Sequence, residues 1–404
     1  MRKVMILFFA LLLLGVGEKS FIRLEYLEEK ELTRDMYIKI ALAEGRRIVK
    51  IRELGGINQE LLFISKDGRV IRKIEGKMRY SDFVISEDGR YAGVLYTSEE
   101  PVIYALRDSF VVYDSTGRKL YSIKRGDAGS DTVLTHNILQ GLSPSERLKI
   151  KGERLVVIEN HNKSRGSYKG YFHILFFNKG RLIRRVKIPR RYLLQAAWSP
   201  DGEMFVISCS GHTIYVFDKE GNKLWERVLE GVHLMPPIDY SFKTLAITQD
   251  KIIHFGTKGL TILDRDGKHR IDLDSVEGGG PCYLIVSPDG NHCLGWFHSG
   301  GRVYLVSLRG KPRVVWWRDF KEVIHGAFSN DSRSVFLLIE RKNGRYYLAG
   351  FKVENGNLLG VVPLTLREKI WSERVGVGAN RIYVYNKYCG TGKVYTIRIT
   401  RKER

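Results

Sequence analysis

Two interleaved series of turns run through the chain, and between them they leave room for little besides short strands. In the first, a glycine closes a short polar run between apolar segments: Lys66-Asp67-Gly68, Asp114-Ser115-Thr116-Gly117, Asn178-Lys179-Gly180, Asp218-Lys219-Glu220-Gly221, Asp264-Arg265-Asp266-Gly267, Leu308-Arg309-Gly310 and Glu354-Asn355-Gly356. These glycines stand 41 to 49 residues apart, except for a step of 63 between Gly117 and Gly180. The second series is headed by serine: Ser86-Glu87-Asp88-Gly89, Ser143-Pro144, Ser199-Pro200-Asp201-Gly202, Ser241, Ser287-Pro288-Asp289-Gly290 and Ser329-Asn330-Asp331. Because the two series alternate, each repeat carries two hairpin turns.

Between the turns lie short runs rich in β-branched and aromatic residues, such as Phe205-Val206-Ile207, Thr213 to Phe217, Tyr283 to Val286 and Val335 to Ile339. Such runs are strands. Several are apolar at consecutive positions, as expected for strands covered on both faces. Four strands in every 40 to 50 residues, with no helical stretch of 10 to 15 residues beyond position 45, predict an all-β chain forming a single β-propeller of four-stranded blades.

Particular residues carry a family resemblance. Trp198-Ser199-Pro200-Asp201-Gly202 before an apolar strand resembles the repeat core of the WD-repeat-like and TolB-like bacterial propellers. Asp218-Lys219-Glu220-Gly221-Asn222-Lys223-Leu224-Trp225 is similar to the hairpin of quinoprotein-like repeats. The resemblance spans residues 36 to 399, and implies blade packing rather than a particular activity.

Seven complete units fall near 36–76, 80–126, 136–189, 192–230, 235–275, 280–320 and 322–364. Arg374 to Val377, Arg381 to Tyr385 and Val394 to Ile399 supply three further strands. Phe21 to Leu27 reads as the fourth, closing the ring from the N-terminus; the competing reading of that segment is a charged helix. Eight blades are favoured, with seven as the alternative. The domain layout is 1–17 as signal peptide or anchor, 18–35 as N-terminal segment, 36–399 as propeller and 400–404 as basic tail.

Met1-Arg2-Lys3 followed by the apolar run Val4 to Gly17 reads as a secretory signal. At about 1.5 Å per residue that run covers ~21 Å of a ~30 Å hydrocarbon core, short for a spanning helix. The expected address is extracytoplasmic: periplasmic, secreted or membrane-anchored by the N-terminus. The formal net charge of +22 calls for an anionic partner or for edge protection. An exported chain argues against nucleic acid as that partner. Cys209 and Cys389 read as small buried hydrophobes. With Leu284 opposite Cys293, Cys282 would sit one diagonal away, at ~7–8 Å and beyond disulfide reach.

In propellers of this kind both turn series lie on one face. The connections between second and third strands, and between blades, form the opposite, loop-rich face, the usual binding face of the resembled families. Candidate partner-binding residues there are His161, Lys163, Arg165, Tyr168 and Lys169 on the long insertion Asn160 to Gly170, together with His212, Lys258, His298, Arg302, Arg341 and Arg345. On or beside the outer strands stand Arg69, Arg72, Lys73, Arg118, Lys119, Lys124, Arg125, Arg181, Arg184, Arg185, Lys187, Arg190 and Arg191, read as charges that block edge-to-edge pairing. Trp225 and Trp316 fall at positions that do not match in sequence.

No Gly-x-Ser-x-Gly elbow, His-Glu-x-x-His pair or Walker loop occurs, so no catalytic, cofactor-binding or metal residue is nominated. The reading is a non-enzymatic, monomeric propeller that binds a protein or anionic polymer, with membrane contact confined to the N-terminus. An extracytoplasmic lyase or glycosidase with acid and base groups in the channel mouth is the alternative.

Overall fold

Thirty-two β-strands and no helix make up the described part of the chain. The computed structural model describes residues 22–31, 36–43, 46–53, 58–65, 67–77, 81–86, 89–97, 107–124, 148–160, 171–189, 193–209, 213–229, 244–256, 259–274, 279–299, 302–340, 345–364, 373–377, 381–386 and 393–401.

After Ile22–Glu31 (β1), the strands follow in antiparallel groups of four. The first group is Met36–Ala43 (β2), Arg46–Glu53 (β3), Asn58–Ile64 (β4) and Val70–Lys77 (β5). The second is Ser81–Ile85 (β6), Tyr91–Thr97 (β7), Arg107–Asp114 (β8) and Lys119–Lys124 (β9). Leu148–Lys151 (β10), Arg154–Asn160 (β11), Phe172–Asn178 (β12) and Arg181–Ile188 (β13) form the third. The fourth comprises Leu193–Trp198 (β14), Met204–Cys209 (β15), Thr213–Asp218 (β16) and Lys223–Val228 (β17). Leu245–Ile247 (β18), Lys251–Gly256 (β19), Gly259–Asp264 (β20) and Arg270–Asp274 (β21) make the fifth. In the sixth are Gly279–Val286 (β22), His292–Ser299 (β23), Arg302–Ser307 (β24) and Arg313–Asp319 (β25). The seventh holds Glu322–Phe328 (β26), Ser334–Glu340 (β27), Tyr346–Lys352 (β28) and Leu358–Leu364 (β29). Glu373–Val377 (β30), Arg381–Asn386 (β31) and Lys393–Arg401 (β32) end the chain.

These groups are the blades of a β-propeller. They form seven hydrogen-bonded sheets, six of four strands and one of eight. The eight-stranded sheet is two four-stranded meanders, β22–β25 and β26–β29, joined through the single pair Ser299 and Glu322. Seven therefore counts separate sheets and eight counts four-stranded units. The last unit is completed from the other end of the chain: β1 pairs antiparallel with β32 from Ile22 opposite Arg401 to Glu31 opposite Lys393. The segment is thus a strand rather than the alternative helix, and β2 lies against β30 and β31, so the first and last units meet.

Second and third strands carry the core. Every residue of β15 and of β27 is buried, because sheets cover both of their faces. Fourth strands are half solvent-facing, as in β13 and β17. Each apolar cluster lies between successive blades: Phe63 and Phe83 join the first to the second, Phe176 and Phe205 the third to the fourth, Trp296 and Leu337 the sixth to the seventh. Each fully buried aromatic contributes about 2–3 kcal/mol of transfer free energy, so the ring is held by its seams.

The serine-headed turns close first-to-second hairpins by one device. Ser199 Oγ accepts the Met204 N–H at 2.9 Å and donates to Asp201; Ser287 and Ser329 do the same toward His292 and Asp289, and toward Ser334 and Asp331. Two positions differ from the sequence expectation. In the fifth blade the device uses Thr248, whose Oγ1 accepts the Lys251 N–H, rather than Ser241, which lies outside the described residues with Ser143. In the third, the hairpin closes at Gly152, with φ of 61°.

The hairpin around Pro288 also corrects a register. Val286, not Leu284, faces Cys293, and Cys282 faces Phe297, because the loop spans Ser287 to His292. Cys282 is then four residues along the ladder from Cys293, roughly 13 Å. Cys209 and Cys293 are buried free thiols, and burial pushes the Cys293 thiol well above its usual range.

Candidate partner-binding face

The connections on one face are short and tied. Asp218 Oδ1, for example, accepts the N–H groups of both Glu220 and Asn222, and Gly221 N–H returns to the Asp218 carbonyl. On the opposite face lie the connections of unequal length. Residues 161–171 intervene between β11 and β12, against 257–258 between β19 and β20. Chain length is therefore varied on one face of a ring whose other face repeats.

Of the residues singled out from sequence, His161, Lys163, Arg165, Tyr168, Lys169, His212, Lys258 and Arg341 lie outside the described residues. His298 is the penultimate residue of β23, and its side chain is likewise not described. Arg345 is exposed immediately before β28.

Arg302 is the best defined of the set. It opens β24 opposite Asp319 at the end of β25, and its guanidinium grips that carboxylate at two points, Nε to Oδ1 at 2.5 Å and Nη2 to Oδ2 at 3.0 Å. The guanidinium carbon also stands 4.5 Å from the ring centroid of Trp317, a residue that is 54% exposed. Hydrogen bonding to Arg302 holds Asp319 below the usual carboxylate range. Arg302 thus presents a neutralised pair beside an aromatic surface. Such a patch offers contact area and fixed hydrogen-bond geometry more than net charge.

A second pair lies at the junction of the sixth and seventh blades, and sequence reasoning missed it. Glu340 ends the wholly buried strand β27, is 4% exposed, and receives Lys321 Nζ at 2.6 Å. Glu322, at the head of β26, faces Glu340 across the strands. The available signal was a lone acid terminating a buried strand, which requires a cation nearby.

Inner strands are stitched by polar side chains. Gln195 Oε1 accepts the N–H groups of Thr244 and Leu245 at 2.9 and 3.0 Å, and His325 Nδ1 accepts the Val375 N–H at 3.2 Å. Both residues follow an irregularity in pairing of the first and second strands, at Leu193/Gln195 and Val323/His325. The irregularity turns each side chain toward the next blade. Asp264, Asp266 and His269 bring ligand atoms within 4.8 Å of one another on the tied face. Both oxygens of Asp264 are already engaged, one by Lys251 and the other by His269 Nδ1 at 2.9 Å.

No family model matches the chain, and no curated protein sequence matches it. Among solved structures it is similar to BamB from Moraxella catarrhalis, at 14% identity and a TM-score of 0.53 over 93% of this chain and 100% of that one. It is similar to the C-terminal WD40 domain of Sif2 at 11% identity and a TM-score of 0.58, over 95% of this chain and 100% of that one. For Sqt1 of Saccharomyces cerevisiae the values are 11%, 0.56, 95% and 100%. At these identities the shared property is the fold, and the likeness to WD-repeat and quinoprotein-like propellers holds at that level.

Proposed function

We propose that the chain is an extracytoplasmic, non-enzymatic propeller that captures a protein or anionic polymer on its loop-rich face. One observation carries the reading: β11 and β12 are separated by residues 161–171, the longest interval between a second and a third strand, and its sequence holds Lys163, Arg165 and Lys169 without a carboxylate. A cationic arm on a rigid ring attracts an anionic partner from a distance, and salt screens that attraction. The Trp317 and Arg302 surface gives the same face a place for close contact. The apolar run Val4 to Gly17 supports export. Replacing Lys163, Arg165 and Lys169 by glutamine tests the reading. Partner capture should weaken and lose most of its salt dependence; capture unchanged in both respects would contradict it.

A further inference from the structure

The cations of the outer strands are not equivalent. In three blades an outer-strand cation is matched to acids close by: Lys73 lies between Glu60 and Glu75 at 2.7 and 2.8 Å, Lys223 meets Glu226 at 2.8 Å, and Arg270 meets Asp272 at 2.8 Å. The third blade carries the largest cationic excess on its outer strand. Its outer strand β13, Arg-Leu-Ile-Arg-Arg-Val-Lys-Ile, contains four cations and no acid. Arg181, Arg184, Arg185 and Lys187 are all exposed, and Ile183 is exposed among them. The strand β12 opposite offers Phe177, Phe176, Leu175, Ile174 and His173, again without a carboxylate. Arg181 and Arg184 form no ion pair among the described residues, while Lys187 rests 4.2 Å from the Tyr171 ring centroid.

The backbone is as open as the charge. β13 ends its sheet, and among the described residues no strand pairs with its outer side. At eight residues, or about 27 Å, it is long for an exposed edge. Cations spread over both faces of an edge repel a second copy of that edge. The same charges complement an incoming strand whose own side chains are acidic, since opposite charges facing each other across a ladder are favourable by about 0.2–1 kcal/mol per pair.

We propose that β13 accepts an extended acidic peptide segment of a partner protein as a fifth strand of the third blade. Backbone hydrogen bonds along β13 supply the pairing, carboxylates meet Arg181, Arg184 and Lys187, and Ile183 gives an apolar contact. This surface is the outer edge of one blade, separate from the loop-rich face, and stands whether or not the preceding reading does.

The probe is a capped, fluorescein-labelled ten-residue peptide alternating valine and glutamate, titrated against the full chain by anisotropy. Two companions accompany it: the same peptide N-methylated at four consecutive central residues, which keeps the charge and removes backbone donors, and one with lysine in place of glutamate. The parent should bind and should slow hydrogen exchange across 181–188. Both companions should bind at least tenfold more weakly, and so should the parent toward a variant carrying Arg181→Glu, Arg184→Glu and Arg185→Glu. All three substitutions are at exposed positions, and the N-methylated peptide tests unaltered protein. Absent binding of the parent, equal binding of the N-methylated peptide or equal binding by the variant would each overturn the proposal.

Discussion

Glycines of the third-to-fourth hairpins do more than turn the chain. Gly267 and Gly356 have φ of +72° and +71°, and a β-carbon at either would stand 3.0 or 2.9 Å from the indole of Trp225 or Trp316 on the preceding blade. Gly310 has φ of +60° but nothing within 4 Å. Alanine at Gly310 should cost about 1–2 kcal/mol from backbone strain alone. At Gly267 or Gly356 overpacking against an indole adds to this, for a loss of about 2–4 kcal/mol. Equilibrium urea unfolding of the three variants checks the difference, and equal losses would mean that the indole contact is not tight. Ser332 is informative in the same way. It takes φ of +59° where the other serine-headed turns have glycine, and its hydroxyl accepts the Asp289 N–H at 3.1 Å from the neighbouring blade.

Asp289 gives the turn device a pH signature. Partial burial works against its ionisation, but hydrogen bonds from Ser287, Asn291 and Ser332 outweigh that and hold the carboxyl at about 2. A carboxyl lowered on folding stabilises the native state above its unfolded value near 3.9, and the contribution disappears as pH falls toward 2. Asp289→Asn should therefore flatten the dependence of stability on acid between about pH 4 and pH 2. Urea midpoints measured across that interval decide it, and parallel curves for variant and parent would discard this role.

Among the elements, the fourth strands show most clearly what the sequence concealed. In sequence Arg72 is one of the edge cations, yet its Nη1 donates at 2.9 Å to the Gly117 carbonyl in the next blade's hairpin. Arg318 reaches the Gly356 carbonyl with Nε and Nη2 at 3.2 and 2.9 Å, and Arg227 reaches that of Gly267. Trp225 and Trp316, unmatched in sequence, occupy the same structural position: each precedes such an arginine by two residues and donates its indole N–H to the next blade, to the Arg265 or Val353 carbonyl. Hairpins of unequal length hide this equivalence. A register irregularity between third and fourth strands adds to it, for example at Val216/Phe217 and Leu305/Val306. Arg72→Ala and Arg318→Ala should each cost about 1–2 kcal/mol, since a carbonyl loses its charged donor at a seam. Lys73→Ala should stay within about 0.5 kcal/mol. Chemical denaturation separates the two classes, and equal effects would leave Arg72 an edge charge and remove the seam role from Arg318.

Alternating turns and doubly covered apolar strands made the propeller legible, because both are local patterns. The serine device was legible only where serine supplied the hydroxyl; at Thr248 the same chemistry passed unnoticed. Pairs such as Lys321 with Glu340 depend on which blade lies beside which, a relation that spacing along the chain does not encode. Arg302 was recognisable as a cation on the loop-rich face, whereas its capture by Asp319 and its stacking on Trp317 follow from the register of β24 with β25.

At the scale of the molecule, the net charge of +22 divides into parts with different work. Arg72, Arg227 and Arg318 bind blades together, Lys73 and Arg302 are matched to acids, and β13 itself holds four cations and no acid. β1 completes the last blade through β32, a closure that leaves neither end of the array exposed as an open blade face. The resulting ring repeats itself on one side and varies on the other, and the varied side is the one proposed to capture the partner. Photo-cross-linking in the native host tests this most directly, with the reactive group placed at Tyr168 in one variant and at Gly310, on the tied face, in another. A discrete adduct is expected from position 168, lost when Lys163, Arg165 and Lys169 are replaced by glutamine, and none from position 310. The same adduct from both positions, or one from position 310 alone, would contradict it.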